Sequence, residues 1–331
     1  MLHIFDVTFP FFALVLVGWA VGRRGWISLD AIPALNVFVL YFALPCMLFR
    51  FAAATPIARL FDASVFGTWW VCAVLMTALA LVATRRGPIG WNDAAFGALV
   101  VAFPNAGFIG VPLMVDLLGP KAAAPAIAAI SVDMVFTTSL CIAISRLESA
   151  GSHGARRAAL QALRGVAANP LPWAIVVGCI VNGTDTHLPH WMLKPVTLLA
   201  DAASPTALFT LGLVLARPAK VHSVRMADGD AVTPARSDVP LVVALKLIVH
   251  PLVVMTAAAV AVALGVPLDP FAAMVLTLMA ALPSASNVTM LAERFGADAG
   301  RIARIVLIST TLAFVTFTAA VALLTDPGMR T

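Results

Sequence analysis

The segment AFPNAGFIGVP (residues 102–112) sets a proline, an asparagine and glycines in the middle of a long apolar run, and ALPSASNVTM (residues 281–290) repeats the device nearer the C-terminus. Proline removes a backbone donor and its ring clashes with the preceding turn. At the centre of an apolar span no bulk water reaches the freed carbonyls, so small or polar neighbours must satisfy them. Asn105 and Gly107 beside Pro104, and Ser284, Ser286 and Asn287 beside Pro283, are such neighbours. Taken singly, each stretch reads as an ordinary proline kink. Together they read as two discontinuous helices whose half-helix ends form a binding site near the membrane midplane.

Composition supports a membrane setting. Of 331 residues, 61% are hydrophobic and 11% charged. A soluble domain carries about 25% charged and about 45–50% apolar residues, so this chain cannot cover itself in water. The same balance excludes a disordered chain. Basic residues occur in ones and twos at the ends of apolar runs, which excludes a nucleic-acid partner. Four cysteines, at positions 46, 72, 141 and 179, lie singly in apolar runs and read as packing residues rather than metal ligands. Asp6 precedes the first apolar run and Arg23-Arg24 follow it, the reverse of a cleavable signal peptide, so this run is expected to stay as a helix.

A helix needs about 20 apolar residues to cross the hydrocarbon core. Ten runs of about this length fall at 4–22, 31–51, 63–84, 94–118, 122–145, 168–182, 193–216, 239–264, 270–293 and 302–324. They are continuously apolar, unlike the alternating strands of an outer-membrane barrel. The loops after the odd-numbered runs hold 15 of the 21 Lys and Arg, the opposite side five, and Lys246 lies inside the eighth run. The excess of basic residues marks the odd loops as cytoplasmic and both termini as outside.

The fold class predicted is an all-α integral membrane protein of ten helices in a 5+5 inverted repeat. Residues 1–145 form the first repeat, 146–167 a cytoplasmic linker and 168–331 the second repeat. Helix 2 carries FALPCMLF around Pro45 and helix 7 AASPTALF around Pro205, each second in its half; the breaks at Pro104 and Pro283 are each fourth. The first pair is offset by 160 residues and the second by 179, so 19 residues were added where the polar stretch 217–238 lies. A loop absorbs such an insertion at little cost.

NVFVLYFALP (36–45), FPNAGFIGV (103–111), LKLIVHP (245–251) and ALPSASN (281–287), in this order along essentially the whole chain, resemble the auxin efflux carrier family. That family includes the PIN-type auxin carriers of plants and bacterial members described as malonate transporters. The resemblance implies a bile-acid symporter-like fold in which broken helices 4 and 9 cross. Helices 1, 2, 6 and 7 would be a scaffold, and helices 3–5 and 8–10 a mobile transport unit. It also implies a plasma (inner) membrane location and a homodimer. PIN-type carriers line their carboxylate site with an Asn-Pro-Asn stretch at the helix 4 crossover and an asparagine at the helix 9 crossover. Here Phe103 replaces the first asparagine, Asn105 matches the second and Asn287 is nearest the third, a departure that argues against auxin and for a smaller organic anion.

Ionisable groups inside a membrane cost about 2.5–3.5 kcal/mol each on insertion scales and so need a reason. Asp133 falls mid-helix 5, Asp201 one turn before Pro205, and Lys246 and His250 four residues apart on one face of helix 8. Asp133 is expected to titrate during transport with Lys246 as its partner or as counter-charge for substrate; the alternative is a fixed Asp133–Lys246 salt bridge. His250 is expected to bond a carbonyl freed by Pro251, and Asp201 either to face the cavity or to cap its break. Asp116, Glu293 and Arg294 read as end residues snorkelling to headgroups. Ala43, Ala203, Ala207 and Gly212 are small enough for close sliding contact.

These features make the predicted substrate a small carboxylate and the other contact of the protein membrane lipid. No cofactor is implied, and the absence of a G-x-x-x-x-G-K-[ST] run excludes direct use of ATP. The expected mechanism is secondary active transport by an elevator-type cycle, driven by protons or potential. A sodium-coupled organic-anion symporter is the nearest alternative. A channel lacks its filter sequence and an intramembrane enzyme its H-E-x-x-H or G-x-S-x-G signature.

Overall fold

Proline placement explains much of the helix architecture. In the computed structural model, which describes residues 2–85, 89–146, 164, 167–186, 188–216 and 238–325, three helices widen into a single π-turn just ahead of a proline. These turns are Val39–Ala43 before Pro45, Ala106–Gly110 before Pro112 and Leu245–Val249 before Pro251. The residue after each turn donates five residues back, to Val39, Ala106 and Leu245 in turn. A widened turn relieves the clash between the proline ring and the carbonyl four residues earlier. A fourth π-turn, Asp133–Thr137, has no proline; Thr138 Oγ1 instead donates to the Asp133 carbonyl at 2.8 Å and holds the turn open.

The helices, in chain order, are α1 (Leu2–Arg23), α2 (Leu29–Ala54), α3 (Ala63–Thr84), α4 (Trp91–Ala102), α5 (Ala106–Leu118) and α6 (Pro120–Ser145). After the linker come α7 (Pro170–Gly183), α8 (His190–Ala216), α9 (Val239–Ala263), α10 (Pro270–Ala281), α11 (Asn287–Arg294) and α12 (Ala299–Thr325). Starts are capped by short acidic or amide side chains: Asp62 accepts from the Ser64 and Val65 N–H groups, Asn169 from Leu171 and Asp269 from Phe271. Pro170 and Pro270 follow two of these caps, where a missing donor costs nothing. Among the described residues no strand forms, and six helices are long and apolar enough to cross a membrane, with four shorter apolar ones beside them. Every apolar run marked in the sequence is helical, and the fourth and ninth are each split in two.

Large apolar side chains cover the outside, Leu16, Val82, Trp173, Leu198, Leu252 and Val315 among them. A water-soluble protein would not expose such a surface, whereas lipid tails solvate it. The protein is an integral, multi-pass membrane protein. Within it, α4 is buried on all sides from Ala94 to Ala102, and α10 from Val275 to Ala281. The most extensive packing sets α1 on α8 and α7 on α2, with α2 on α8. α3, α4, α6, α9, α10 and α12 pack mainly on one another, and contacts between the two groups are sparser.

Gly212 belongs to the first group. A Cβ there would overlap the Val15 carbonyl of α1, and one at Gly18 the Phe209 carbonyl of α8. The close approach expected of Gly212 therefore joins two helices of one group and is not a sliding surface between groups. In the second group, Arg301 ties three helix starts together. Its Nε donates to Asp238 Oδ1 at 2.8 Å, Nη2 to Asp238 Oδ2 and Nη1 to the Asp93 carbonyl at 2.8 Å. The linker 146–167 and the stretch 217–237 lie outside the described residues, except for Arg146, Arg164 and Ala167.

Candidate functional site

Helix α4 ends at Ala102, Phe103 is extended (φ −99°, ψ 100°), and the chain re-enters a helix only after Asn105 (φ −74°, ψ 57°). On the other side α10 ends at Ala281, Leu282 is extended (φ −64°, ψ 155°), and α11 starts at Asn287. The two extended pieces run antiparallel and meet in one β-bridge, Pro104 to Ser284. Asn105 N–H donates to the Pro283 carbonyl at 2.8 Å, and Ala285 N–H to the Phe103 carbonyl at 3.1 Å. Each break thus satisfies part of the other's backbone where water is absent. The two proline stretches singled out in the sequence are one structural unit.

Side chains at the crossing are left with unused capacity. Asn105 Nδ2, Ser284 Oγ and Asn287 Oδ1 are buried without a hydrogen-bond partner. Buried polar groups almost always find partners, so this cluster is a place where a polar ligand fits. Neither Asn105 nor Ser286, at the N-caps of α5 and α11, bonds its own helix through its side chain, which leaves both helix N-termini open. Those termini carry partial positive charge and suit an anion.

A cavity of about 590 Å³ reaches this crossing. Phe103, Asn287, Tyr41, Met134 and Thr138 line it, together with Arg146, Arg164 and Arg294. Asn105 and Ser284 are buried and do not line it, and Gly107 packs against Ile130, whose Cδ1 would sit 3.2 Å from a Cβ there. A second cavity, of about 330 Å³, is lined by Arg50, Asp116, Asp201, Ser204 and Pro205 and does not include the crossing. Arg50 Nη1 pairs with Asp201 Oδ1 at 2.5 Å. Pro205 and Asp201 therefore belong to a different cavity from Asn287. Pro45 lines neither, and serves the π-turn of α2. Asp116 and Arg294, read from sequence as snorkelling end residues, each line a cavity.

The intramembrane charges form a third cluster, inside the second helix group. Asp133, Lys246, His250 and Trp69 are all buried. The alternative reading, a fixed Asp133–Lys246 salt bridge, does not form, since no ion pair within 4.0 Å joins them. The reason is that Lys246 Nζ is spent elsewhere: it donates to His250 Nδ1 at 2.9 Å and to the Ala280 carbonyl at 3.3 Å. His250 likewise does not bond a carbonyl freed by Pro251, because the ammonium one turn earlier claims its Nδ1. Asp133 accepts from Thr137 Oγ1 at 2.9 Å, and the Trp69 indole of α3 is a second side-chain donor to its carboxylate. Trp69 stacks obliquely on His250, with ring centroids 5.7 Å apart, so that one side chain touches both the histidine and the Asp133 carboxylate.

Several of these residues were not legible as site residues. Arg50 lies near the end of the second apolar run, and α2 carries it on to Ala54; Trp69 and Thr137 sit in apolar runs with nothing in their spacing to mark them. Ser309, whose Oγ accepts from Ser284 N–H at 3.3 Å, gave no signal in a run rich in Ser and Thr.

Comparison with known proteins agrees with this architecture. The sequence profile described as "Membrane transport protein" matches residues 3–321. The chain is 28% identical to a Rhizobium meliloti (strain 1021) protein named "Putative malonate transporter", over 96% of this chain and 95% of that protein. It is 26% identical to the "Uncharacterized transporter YfdV" of Escherichia coli (strain K12), over 86% of each. Matched along nearly its whole length, the chain belongs to the membrane transport protein family, the family of the auxin efflux carriers, and is a membrane transporter rather than an enzyme.

Proposed function

We propose that this protein is a secondary active transporter of a small mono- or dicarboxylate, malonate-like in size, working by an elevator-type alternating-access cycle. The carrying observation is the crossing itself: unpartnered buried donors at Asn105 Nδ2 and Ser284 Oγ, beside two open helix N-termini, next to a cavity lined by Asn287 and three arginines. Side-chain amides and hydroxyls would donate to the carboxylate, while the helix ends supply positive potential without burying a full ion pair. Pro104, Gly107, Pro283 and Ser286 shape this site through the backbone. The arginines raise the local concentration of anions. The relative named for malonate supports this substrate class.

The cycle we propose uses ten crossing helices in a 5+5 inverted repeat, divided at the linker 146–167. α1, α2, α7 and α8, which pack closely together, form the scaffold; α3–α6 and α9–α12 form the moving unit. Pro45, Pro205 and Asp201 belong to the scaffold side. With the arginine-rich loops in the cytoplasm, both termini face outward across the inner membrane and the larger cavity opens inward. Asp133, with Lys246 and His250 nearby, is the group we assign to proton coupling; an imposed potential is the other source of drive. The protein works in lipid without cofactor or nucleic acid, as a homodimer.

The test is uptake of labelled malonate into proteoliposomes under an imposed pH gradient or potassium diffusion potential. Saturable uptake, competed by malate or other short carboxylates and stimulated by internal substrate, is expected. A non-saturating conductance would favour a channel. No binding of malonate, malate, lactate or indole acids at two pH values would overturn the substrate class. Intact proton coupling in Asp133→Asn would remove that residue from its role.

A further inference from the structure

The break at Pro283 leaves a carbonyl without a partner in its own helix. In a continuous helix Ser284 N–H would donate to the Ala280 carbonyl; here it donates to Ser309 Oγ at 3.3 Å, and Pro283 has no N–H to give. Lys246 Nζ reaches over from α9 and donates to that carbonyl at 3.3 Å. An ammonium has only donors, so its 2.9 Å contact with His250 Nδ1 fixes that ring nitrogen as the acceptor. Lys246 is wholly buried, and among the described residues no carboxylate lies within ion-pair distance. Asp133 acts on its charge from beyond that distance, and the negative C-terminal end of α10 is the group of opposite sign that its ammonium touches. Asp133 faces it from α6, beyond contact range, with its own Oδ1 held by Thr137. Trp69, from α3, contributes a ring against His250 and no charge.

Unwound carbonyls and half-helix C-termini are where transporters with broken helices hold a coupling cation. We infer that Lys246 is a tethered cation: its ammonium occupies the coupling-cation position at the second broken helix, so the protein requires no sodium there. The inference rests on the transporter reading above for its meaning, but not on the identity of the substrate. It also accounts for a lysine that neither pairs with an acid nor lines a cavity. Removing the side chain beyond Cβ leaves a buried carbonyl, an imidazole nitrogen and the Asp133 carboxylate around an empty space. Propylammonium, with three carbons and one nitrogen, restores what alanine lacks.

The test is thermal unfolding of the purified full-length protein in detergent. For wild type, equal concentrations of sodium chloride and choline chloride should give the same melting temperature. Lys246→Ala should melt roughly 5–10 °C lower. Propylammonium chloride should recover at least half of that loss, and 1-propanol none. A sodium-specific stabilisation of wild type overturns the inference, as does a Lys246→Ala variant that melts like wild type or that responds equally to propanol. If Lys246→Ala does not assemble, Lys246→Arg keeps the charge and should be as indifferent to sodium as wild type; sodium stabilisation of either refutes the tethered cation. These melts need no substrate, so a failure of carboxylate uptake with the expected melts would refute only the substrate class.

Discussion

Arg301→Ala should weaken the second helix group out of proportion to the size of the change. The guanidinium is almost fully buried and bonds both oxygens of Asp238 at the start of α9 and the Asp93 carbonyl at the start of α4. Its own N–H is held by Asp298 Oδ1 at 2.8 Å, and Asp298 N–H donates to Asp93 Oδ1 at 2.7 Å. Removing one partner of a buried pair typically costs about 3–5 kcal/mol, because the other charge is left without compensation. The Asp238 side chain is 13% exposed, so water relieves part of its isolation and the lower end, about 3 kcal/mol, applies. At about 2–4 °C per kcal/mol, the melting temperature should fall by roughly 6–12 °C. Asp238→Ala should do similar damage by orphaning the arginine. The double variant should lose less than the sum of the two, since neither charge then remains, and this non-additivity is the signature of direct coupling. Fluorescence-detected melting of the four proteins in one detergent reads all of this. Single variants within a degree of wild type, or strictly additive losses, would refute the clamp.

Three further outcomes follow from the same geometry. Asn287→Ala should lower carboxylate affinity roughly 10- to 100-fold, the worth of one hydrogen bond to a charged group, with little change in melting; equilibrium binding checks this, and unchanged affinity would remove Asn287 from the site. Gly212→Val should cost about 1–3 kcal/mol or more by forcing α1 from α8, read as lost monodisperse protein on size exclusion; wild-type behaviour would contradict the close approach. Arg50→Ala should shift melting by no more than about 4 °C, because the side chains of Arg50 and Asp201 are 35% and 60% exposed and such pairs contribute below about 1 kcal/mol. A loss as large as that of Arg301→Ala would break the argument from exposure.

The proline breaks were readable because a proline amid apolar residues has a local chemical consequence that its neighbours must answer. Their meeting was readable only through the matching positions in the two halves. Lys246 and His250 were placed on one face by their four-residue spacing, and they touch. Which groups Lys246 touches is a matter of tertiary packing: Asp133 acts on it from α6 without a direct salt bridge, and the carbonyl of Ala280 on α10 accepts its hydrogen bond. The π-turn at Asp133 carries no proline and depends on Thr138 bonding a carbonyl five residues back, a pattern that Thr-rich apolar runs conceal. Arg50 stayed hidden for a simpler reason: a charge near the end of a run does not show that the helix continues past it or that a carboxylate from α8 stands opposite.

The pin between the two broken helices is made of main chain alone: an amide of residue 105 to a carbonyl of 283, and an amide of 285 to a carbonyl of 103. Such a joint is indifferent to what its residues carry beyond Cα, provided the prolines keep the helices open. The groups that would touch a ligand project from a frame that does not rely on them. Cargo preference can therefore drift by exchanging side chains at 105, 284 and 287, with the machine that carries them left as it is.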